Sequence, residues 1–503
     1  MDPPVAAGGN GHLANSWTMI SGTQFSSPVQ ARRLKAVAMT GSRSIHAFSE
    51  RLLLRVALML LLGLVMAIRP VAAQSILRDA ETEMLLNDMA APLVAAAGLE
   101  PSGFEIVLVG DQSINAFVAG GQRVYIHSGL IMAADNANEV QGVIAHEIGH
   151  VTGGHAIAIQ EAAGDFAGIS ILSLLLGAAA IAAGAPEAGL GLLSAGSRAA
   201  IGNFLAFSRN QEATTDLAGA QYLSTAGISG RGSLAFFRRL QNLEYRLNIP
   251  QDEGSYDRTH PLTRERLAIL EGLYQDDPAW ETQTDPALEA RFQRARAKLI
   301  GFISEPRQTL VRYPESDTSV PARYARAYAW HKQAFADRAL AEVDALLEGT
   351  PDDPFFLELR GQIFLESGRP DEALADLRTA LANSRNNPLI ASLFGHALIA
   401  TEDMDHFTEA RQVLRTAVQR DNRNPFAWRR LGYIYSQEGD IARAYLATAE
   451  YATLAGSPQE ALVNARQAMQ GIPDGTPDWV RAQDIAMIAE TAIEEQGGRR
   501  RNR

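Results

Sequence analysis

A chain of 503 residues is too long for one ordinary domain. It has no cysteine, so disulfides and thiolate metal sites are excluded and any metal must be held by histidine and carboxylate. A formal net charge of −12 argues against a nucleic-acid partner.

The first element is an export signal. Residues 56–68 are an apolar run behind Arg51 and Arg55, followed by the small residues Val71-Ala72-Ala73. That is the build of a secretory signal peptide cleaved after Ala73, and the run is short for a transmembrane span. An uncut signal anchor is the alternative. Residues 1–50 show no periodicity and read as an extension, with Met39 a sensible true start. Residues 1–73 hold seven Lys/Arg and two Asp/Glu, so without them the net charge moves from −12 to −17.

Residues 104–109 and 123–127 read as strands, with Gly120-Gly121 giving a turn between them. His146-Glu147-Ile148-Gly149-His150 follows within an apolar, helix-forming stretch. Positions i and i+4 share a helical face, so both imidazoles can reach one zinc ion. Glu147 lies beside the open side of that metal, where it can take a proton from the attacking water and pass it to the leaving amine. This is the H-E-x-x-H arrangement of zinc peptidases, although five residues also match by chance on ordinary helices.

A hydrolytic zinc needs a third protein ligand. One candidate is His155, in His150-Val151-Thr152-Gly153-Gly154-His155, one residue short of the spacing H-E-x-x-H-x-x-G-x-x-H. The other is Glu212, four residues before Asp216 on one helical face. Glu212 is preferred, because Asp216 can then accept the N–H of a metal-bound imidazole and fix its tautomer.

Residues 166–183 carry no charge, and residues 188–205 are nearly as apolar, broken by Arg198. They read as a helical hairpin packed on or hanging over the active site, with membrane-surface contact through residues 166–205 as the alternative. Thr259-His260-Pro261 follows a polar stretch, which places His260 on a loop. Its plain reading is a surface turn histidine. Residues 274–286 are a polar stretch and residues 287–301 a linking helix.

The C-terminal part is a repeat array. Pro321, Pro354, Pro388, Pro425 and Pro458 are 33, 34, 37 and 33 residues apart, the period of tetratricopeptide repeats. Gly361, Gly395 and Gly432 run in register, as do Ala373, Ala410 and Ala444, small residues that let paired helices approach. The extra length of the third unit is expected as a loop at 402–407. Stacked repeats bury a continuous core and offer a concave groove to partners.

Several of these motifs together resemble a known family. They are Ile114-Asn115-Ala116-Phe117, Gly120-Gly121-Gln122-Arg123-Val124-Tyr125-Ile126, the zinc helix with His155, Ser208-Arg209 with Glu212 and Asp216, and Thr259-His260-Pro261 with Arg266. The set is similar to the gluzincin peptidases that include the HtpX heat-shock protease and the CAAX prenyl endopeptidase, and most of all to their soluble, periplasmic BepA-like branch with tetratricopeptide repeats. The resemblance covers roughly residues 76–495. It implies His146, His150 and Glu212 as ligands of one zinc ion and Glu147 as general base. It implies too that His260 can approach the metal, as a fourth ligand that holds the site latent or as a group that stabilises an oxyanion. It also places Asn115, Ala116 and Phe117 on an edge strand that pairs with an extended substrate. A free edge strand beside a zinc helix can indeed bind a peptide through its backbone alone.

The expected fold is mainly α with a small β-sheet, a zincin-type α+β peptidase followed by an α-solenoid. The expected plan is extension and signal at 1–73, metallopeptidase at 74–275, linker and connecting helix at 276–309, repeats at 310–495 and a basic tail at 496–503. The resemblance implies a periplasmic zinc endopeptidase acting on polypeptides, with the repeats engaging the outer-membrane protein assembly machinery. A non-proteolytic scaffold or chaperone and a membrane-associated protease are the rival readings.

Overall fold

The computed structural model describes residues 76–158, 171–178, 180, 186–247 and 260–501. The apolar run at 56–68, the cleavage point after Ala73, residues 166–170, 179 and 181–185 of the expected hairpin, and the polar stretch 251–258 lie outside the described residues. Residues Gln74–Arg503 group into one compact unit.

Helix α1 (Ala80–Ala96) opens the peptidase half, its N-terminus capped by the Asp79 carboxylate on the Thr82 N–H. Strands β1 (Glu105–Val109), β2 (Ala116–Val118) and β3 (Arg123–His127) form a sheet in the order β1-β3-β2. β1 runs parallel to β3, and β2 antiparallel to it with Phe117 opposite Tyr125. The glycine turn therefore closes the β2–β3 hairpin and does not join β1 to β3, which corrects the sequence expectation. Parallel neighbours need a crossover, and the chain makes β2 on the way. Gly120 and Gly121 have φ of +63° and +95°, values that a side chain resists. Alternation sends Ile106, Leu108, Ala116, Val124 and Ile126 into the core and leaves β2 at the sheet edge.

After α2 (Ser128–Ala133) comes α3 (Ala137–Thr152), capped by Asn136 on the Glu139 N–H. Every residue of α3 from Ala137 to His150 is buried. A helix enclosed on all sides should be apolar throughout, so the polar His146, Glu147 and His150 demand a partner. Helices α4 (Pro186–Thr225) and α5 (Arg231–Leu247) pack on it, and α6 (Arg264–Gln275) packs on those two. α4 crosses α3 closely because Gly149 lies under Thr215, where a Cβ would come within 2.9 Å of the threonine. The helix expected to link the halves is α7 (Pro286–Ile303). It is no exposed linker: Phe292, Ala295 and Leu299 belong to the peptidase core. α8 (Pro306–Arg312) follows.

The repeats are helical hairpins. They pair α9 (Val320–Lys332) with α10 (Ala336–Gly349), α11 (Pro354–Glu366) with α12 (Pro370–Asn383), and α13 (Pro388–Ala400) with α14 (Met404–Arg420). α15 (Pro425–Gln437) pairs with α16 (Ile441–Leu454), and α17 (Pro458–Gly471) with α18 (Pro477–Arg501). The spaced prolines stand at the first turn of α9, α11, α13, α15 and α17, where the missing N–H costs nothing. Gly361 and Gly395 sit against Leu377 and Leu414, so a Cβ at either would come within about 2.6 Å of a leucine. The extra length of the third unit is helix, not loop: α14 has 17 residues where α12 has 14.

A polar junction binds the two halves together. Lys298 on α7 pairs with Asp79 at 2.5 Å, and Arg294 bridges Glu81 on α1 and Asp353 at the start of α11. Tyr324 on α9 donates its hydroxyl to Glu81 at 2.9 Å. Farther out, Arg423 meets Glu105 on β1 and Asp421 meets Arg78.

Candidate metal centre

His146 and His150 lie one turn apart on α3, and both Nε2 atoms point at the same place, 3.2 Å from each other. The close α3–α4 crossing delivers Glu212 opposite them, with Oε2 3.4 Å from His146 and Oε1 3.4 Å from His150. His260 completes the group, its Nδ1 3.1 Å from Glu212 and 3.2 Å from His150 Nε2. One ligand atom from each of these four buried residues falls within 4.8 Å of the others. Three imidazole nitrogens and a carboxylate converge in this buried pocket, where each can turn a lone pair toward one cation. This donor set fits a divalent metal.

The electrostatics agree. Burial opposes a charge on either α3 histidine. At His146 the Asp216 and Glu212 carboxylates outweigh it and raise the ring to about 9. At His150 burial prevails over Glu212, assisted by the neighbouring imidazoles, and lowers it to about 3. Burial would raise Glu212, but His260, His146 and His150 hold it far below the usual carboxylate range. The pocket is thus built to keep carboxylates ionised around positive charge.

Behind the ligand atoms stands a layer of support. Asp216, one turn after Glu212 on α4, has Oδ1 3.1 Å from His146 Nδ1. Arg266 on α6 holds Asp216 through two hydrogen bonds of 2.7 and 2.8 Å, pairs with Glu212 at 2.9 Å and donates to the Pro261 carbonyl at 2.7 Å. His155 is not in the converging group. Its Nδ1 lies 2.9 Å from His150 Nδ1, on the side of the ring away from the centre, and 3.1 Å from Thr215 Oγ1. It backs His150 as Asp216 backs His146. This role, and the Arg266 clamp, escaped the sequence reading. Arg266 was singled out there with no contact assigned, and His155 was weighed only as a ligand.

Glu147 is fully buried, and neither of its oxygens has a hydrogen-bond partner among the described residues. His260 Nε2 lies 3.5 Å from its Oε1. Burial pushes its carboxyl up, against the pull of His260 and His146. An isolated interior carboxyl is costly, so this position suits a group that meets its partner during a reaction.

On the sheet side, Asn115 is buried and caps its own strand, its Oδ1 accepting from the Ala116 N–H at 2.9 Å. Ala116 faces the core, and its carbonyl accepts from His260 Nε2 at 3.3 Å. Phe117 stacks on Tyr125 with ring centroids 4.9 Å apart. One histidine therefore touches the metal-type cluster, Glu147 and the edge strand.

A family model described as peptidase family M48 matches residues 77–274. The β-barrel assembly-enhancing protease of Escherichia coli strain K12 is 24% identical over 414 residues, spanning 78% of this chain and 83% of its own length. The protein of the same description from Yersinia pestis is 25% identical, across 65% of this chain and 67% of its own. The E. coli metalloprotease LoiP is 30% identical over 33% of this chain and 60% of its own. Among solved structures, the tetratricopeptide protein YrrB aligns with 35% of this chain and 92% of its own at 18% identity and a TM-score of 0.29.

Proposed function

We propose that this chain, a metalloprotease with an M48 peptidase domain and a tetratricopeptide array, is a zinc endopeptidase of the bacterial envelope that cuts unfolded or misassembled polypeptides. The observation that carries the reading is the convergence of His146, His150 and Glu212 beside the isolated Glu147, next to an open strand edge. His146, His150 and Glu212 would hold the zinc. When bound, it supplies a Lewis acid for the scissile carbonyl and the attacking water. Glu147 takes the proton of that water and returns it to the leaving amine, a role that the upward push of burial on its carboxyl supports. Asp216 accepts the Nδ1 proton of His146 and so keeps Nε2 free for the metal. An extended substrate adds to β2, using backbone hydrogen bonds at Asn115, Ala116 and Phe117 with little regard for its side chains.

His260 is the latch in this reading. With Nδ1 among the ligand atoms and Nε2 on the Ala116 carbonyl, it takes up both the metal's reactive side and the strand edge. Its loop must move before a substrate can pair, and the freed imidazole can then face the oxyanion. Secretion with cleavage after Ala73 and residence in the periplasm agree with the apolar run at 56–68. The description of the relatives as β-barrel assembly-enhancing proteases supports a role in outer-membrane protein assembly and quality control, with the repeats as docking surface or chaperone. The test is cleavage of casein after chelation and after zinc is restored, for wild type and His260→Ala. Loss and recovery of cleavage, with a faster His260→Ala enzyme, supports the reading. Cleavage indifferent to chelation contradicts it.

A further inference from the structure

One helical hairpin is built the wrong way round for water. Residues 171–178 are helical and pack on the first half of α4, where Gly196 lies so close to Ser173 that a Cβ would collide with the serine side chain. Ser173 and Gly177, one turn apart, face inward, and Gly177 is buried. The large residues point the other way: Ile171, Leu172, Leu174, Leu175 and Leu176 are each half or more exposed. At 100° per residue these positions sweep more than half the circumference of the helix. On α4, Leu192, one turn before Gly196 and on its side of the helix, is 42% exposed. A water-soluble hairpin packs its leucines inside, as the repeats here do. Small residues between helices with large apolar ones outside is the packing used in lipid.

We infer that this hairpin docks into the surface of a lipid bilayer. The stretch that begins at Leu190 is apolar enough to enter a membrane, and only 7% of it is buried by the rest of the protein. Its charges fix the pose. Glu187 and Arg198 are eleven residues apart, three turns, and so lie on one side of α4. Gly196, which faces Ser173, lies on the opposite side. The hairpin therefore rests with segment 171–178 among the acyl chains and with Glu187 and Arg198 toward the headgroups. Residues 190–205 make about 24 Å of helix, short of the roughly 30 Å hydrocarbon core, and α4 continues into the buried Glu212. Docking thus involves one leaflet and spans nothing. It sets the metal centre two turns of helix, about 10 Å, from Leu205, so the enzyme would work on chains at a membrane surface. A protein groove or a second copy would cover one face of the hairpin. The broad arc of leucines, with Arg198 the single basic residue in 186–205, favours lipid held by apolar contact.

The absence of cysteine makes the test clean. Leu175→Cys and Arg198→Cys variants of the full chain are labelled with an environment-sensitive fluorophore and mixed with phosphatidylcholine or phosphatidylglycerol vesicles. The label at 175 should brighten several-fold with either lipid, resist high salt and be quenched by brominated acyl chains, whereas the label at 198 should change little. Adding Leu172→Gln and Leu176→Gln should abolish the gain at 175. The inference is overturned if the label at 175 ignores vesicles. It is equally overturned if that label brightens without vesicles as protein concentration rises, which would mean a second copy covers the face, or if the response needs anionic lipid and vanishes in salt.

Discussion

In the peptidase half, the chain buries His146, Glu147, His150, Glu212, Asp216 and Arg266 against one another. In the repeat half the equivalent space holds Ala373, Leu377, Phe394, Ala410 and Leu414. Both interiors are close-packed, but they answer to different forces. Apolar interiors tolerate exchange at constant volume, and a change costs in proportion to the cavity or clash it makes. A cluster of buried charges costs free energy unless every member is paired, and removing one member strands the rest. The repeats should therefore lose stability when altered and keep their chemistry. The site should lose its chemistry when a charged member is removed, and the stranded partners should cost the fold stability as well.

The sharpest way to break that contrast is Glu212→Gln. It keeps the shape but removes the only carboxylate among the converging ligand atoms. Near-complete loss of bound metal and of proteolysis is expected, by metal analysis and casein cleavage, with thermal unfolding of the metal-free protein shifted down because Arg266 and His146 lose a partner carboxylate. His155→Ala should keep its metal, since His155 stands behind His150. The opposite order would make His155 the ligand.

Leu414→Ala tests the other half. Leu414 is fully buried against Gly395, so the substitution should cost about 2–5 kcal/mol in the repeats by denaturant unfolding while metal content stays at the wild-type value. A drop in metal content would mean that the two interiors are coupled.

Asp216→Asn should act more mildly. It weakens one of two partners of His146 without touching the ligand atoms, and a loss of roughly ten- to a hundred-fold in metal affinity is expected from competition with a chelating dye.

The smallest effect concerns a carboxyl that breaks the pattern. Glu358 lies near Lys298 on α11 with one oxygen buried and unpartnered among the described residues. Burial, against the pull of Lys298, pushes it up to about 7. A carboxyl whose pKa is higher in the folded state binds its proton more tightly there. It therefore costs stability as pH rises from the ordinary carboxylate range to 7. Glu358→Gln should then stabilise the protein by about 1–2 kcal/mol above pH 7 and leave it unchanged in acid. Equal melting shifts at both pH values would mean that the group is not strained.

Local patterns made part of this architecture legible. His146 with His150, and Glu212 with Asp216, announced themselves because helix geometry puts i and i+4 on one face, which needs no tertiary information. The repeats were equally visible, since proline can open a helix but not interrupt one, and its spacing marks each unit. What the sequence hid depends on distant segments meeting. Arg266 reaches Asp216 across 50 residues, and Thr215 reaches His155 across 60. β2 is three residues long, too short for an alternation signal, so only the family resemblance puts Asn115, Ala116 and Phe117 on an edge strand, and the antiparallel pairing of β2 with β3 is not legible locally. The three extra residues of α14 were read as loop because nothing local distinguishes a longer helix from a longer turn.

The central claim is that Glu147 performs proton transfer at a metal held by its neighbours. The direct measurement is cleavage of an unfolded polypeptide by wild type and Glu147→Gln, with bound zinc counted in both samples. Wild-type zinc content with cleavage reduced about a hundred- to ten-thousand-fold is the predicted result. Cleavage by Glu147→Gln at the wild-type rate, with zinc bound, would contradict it.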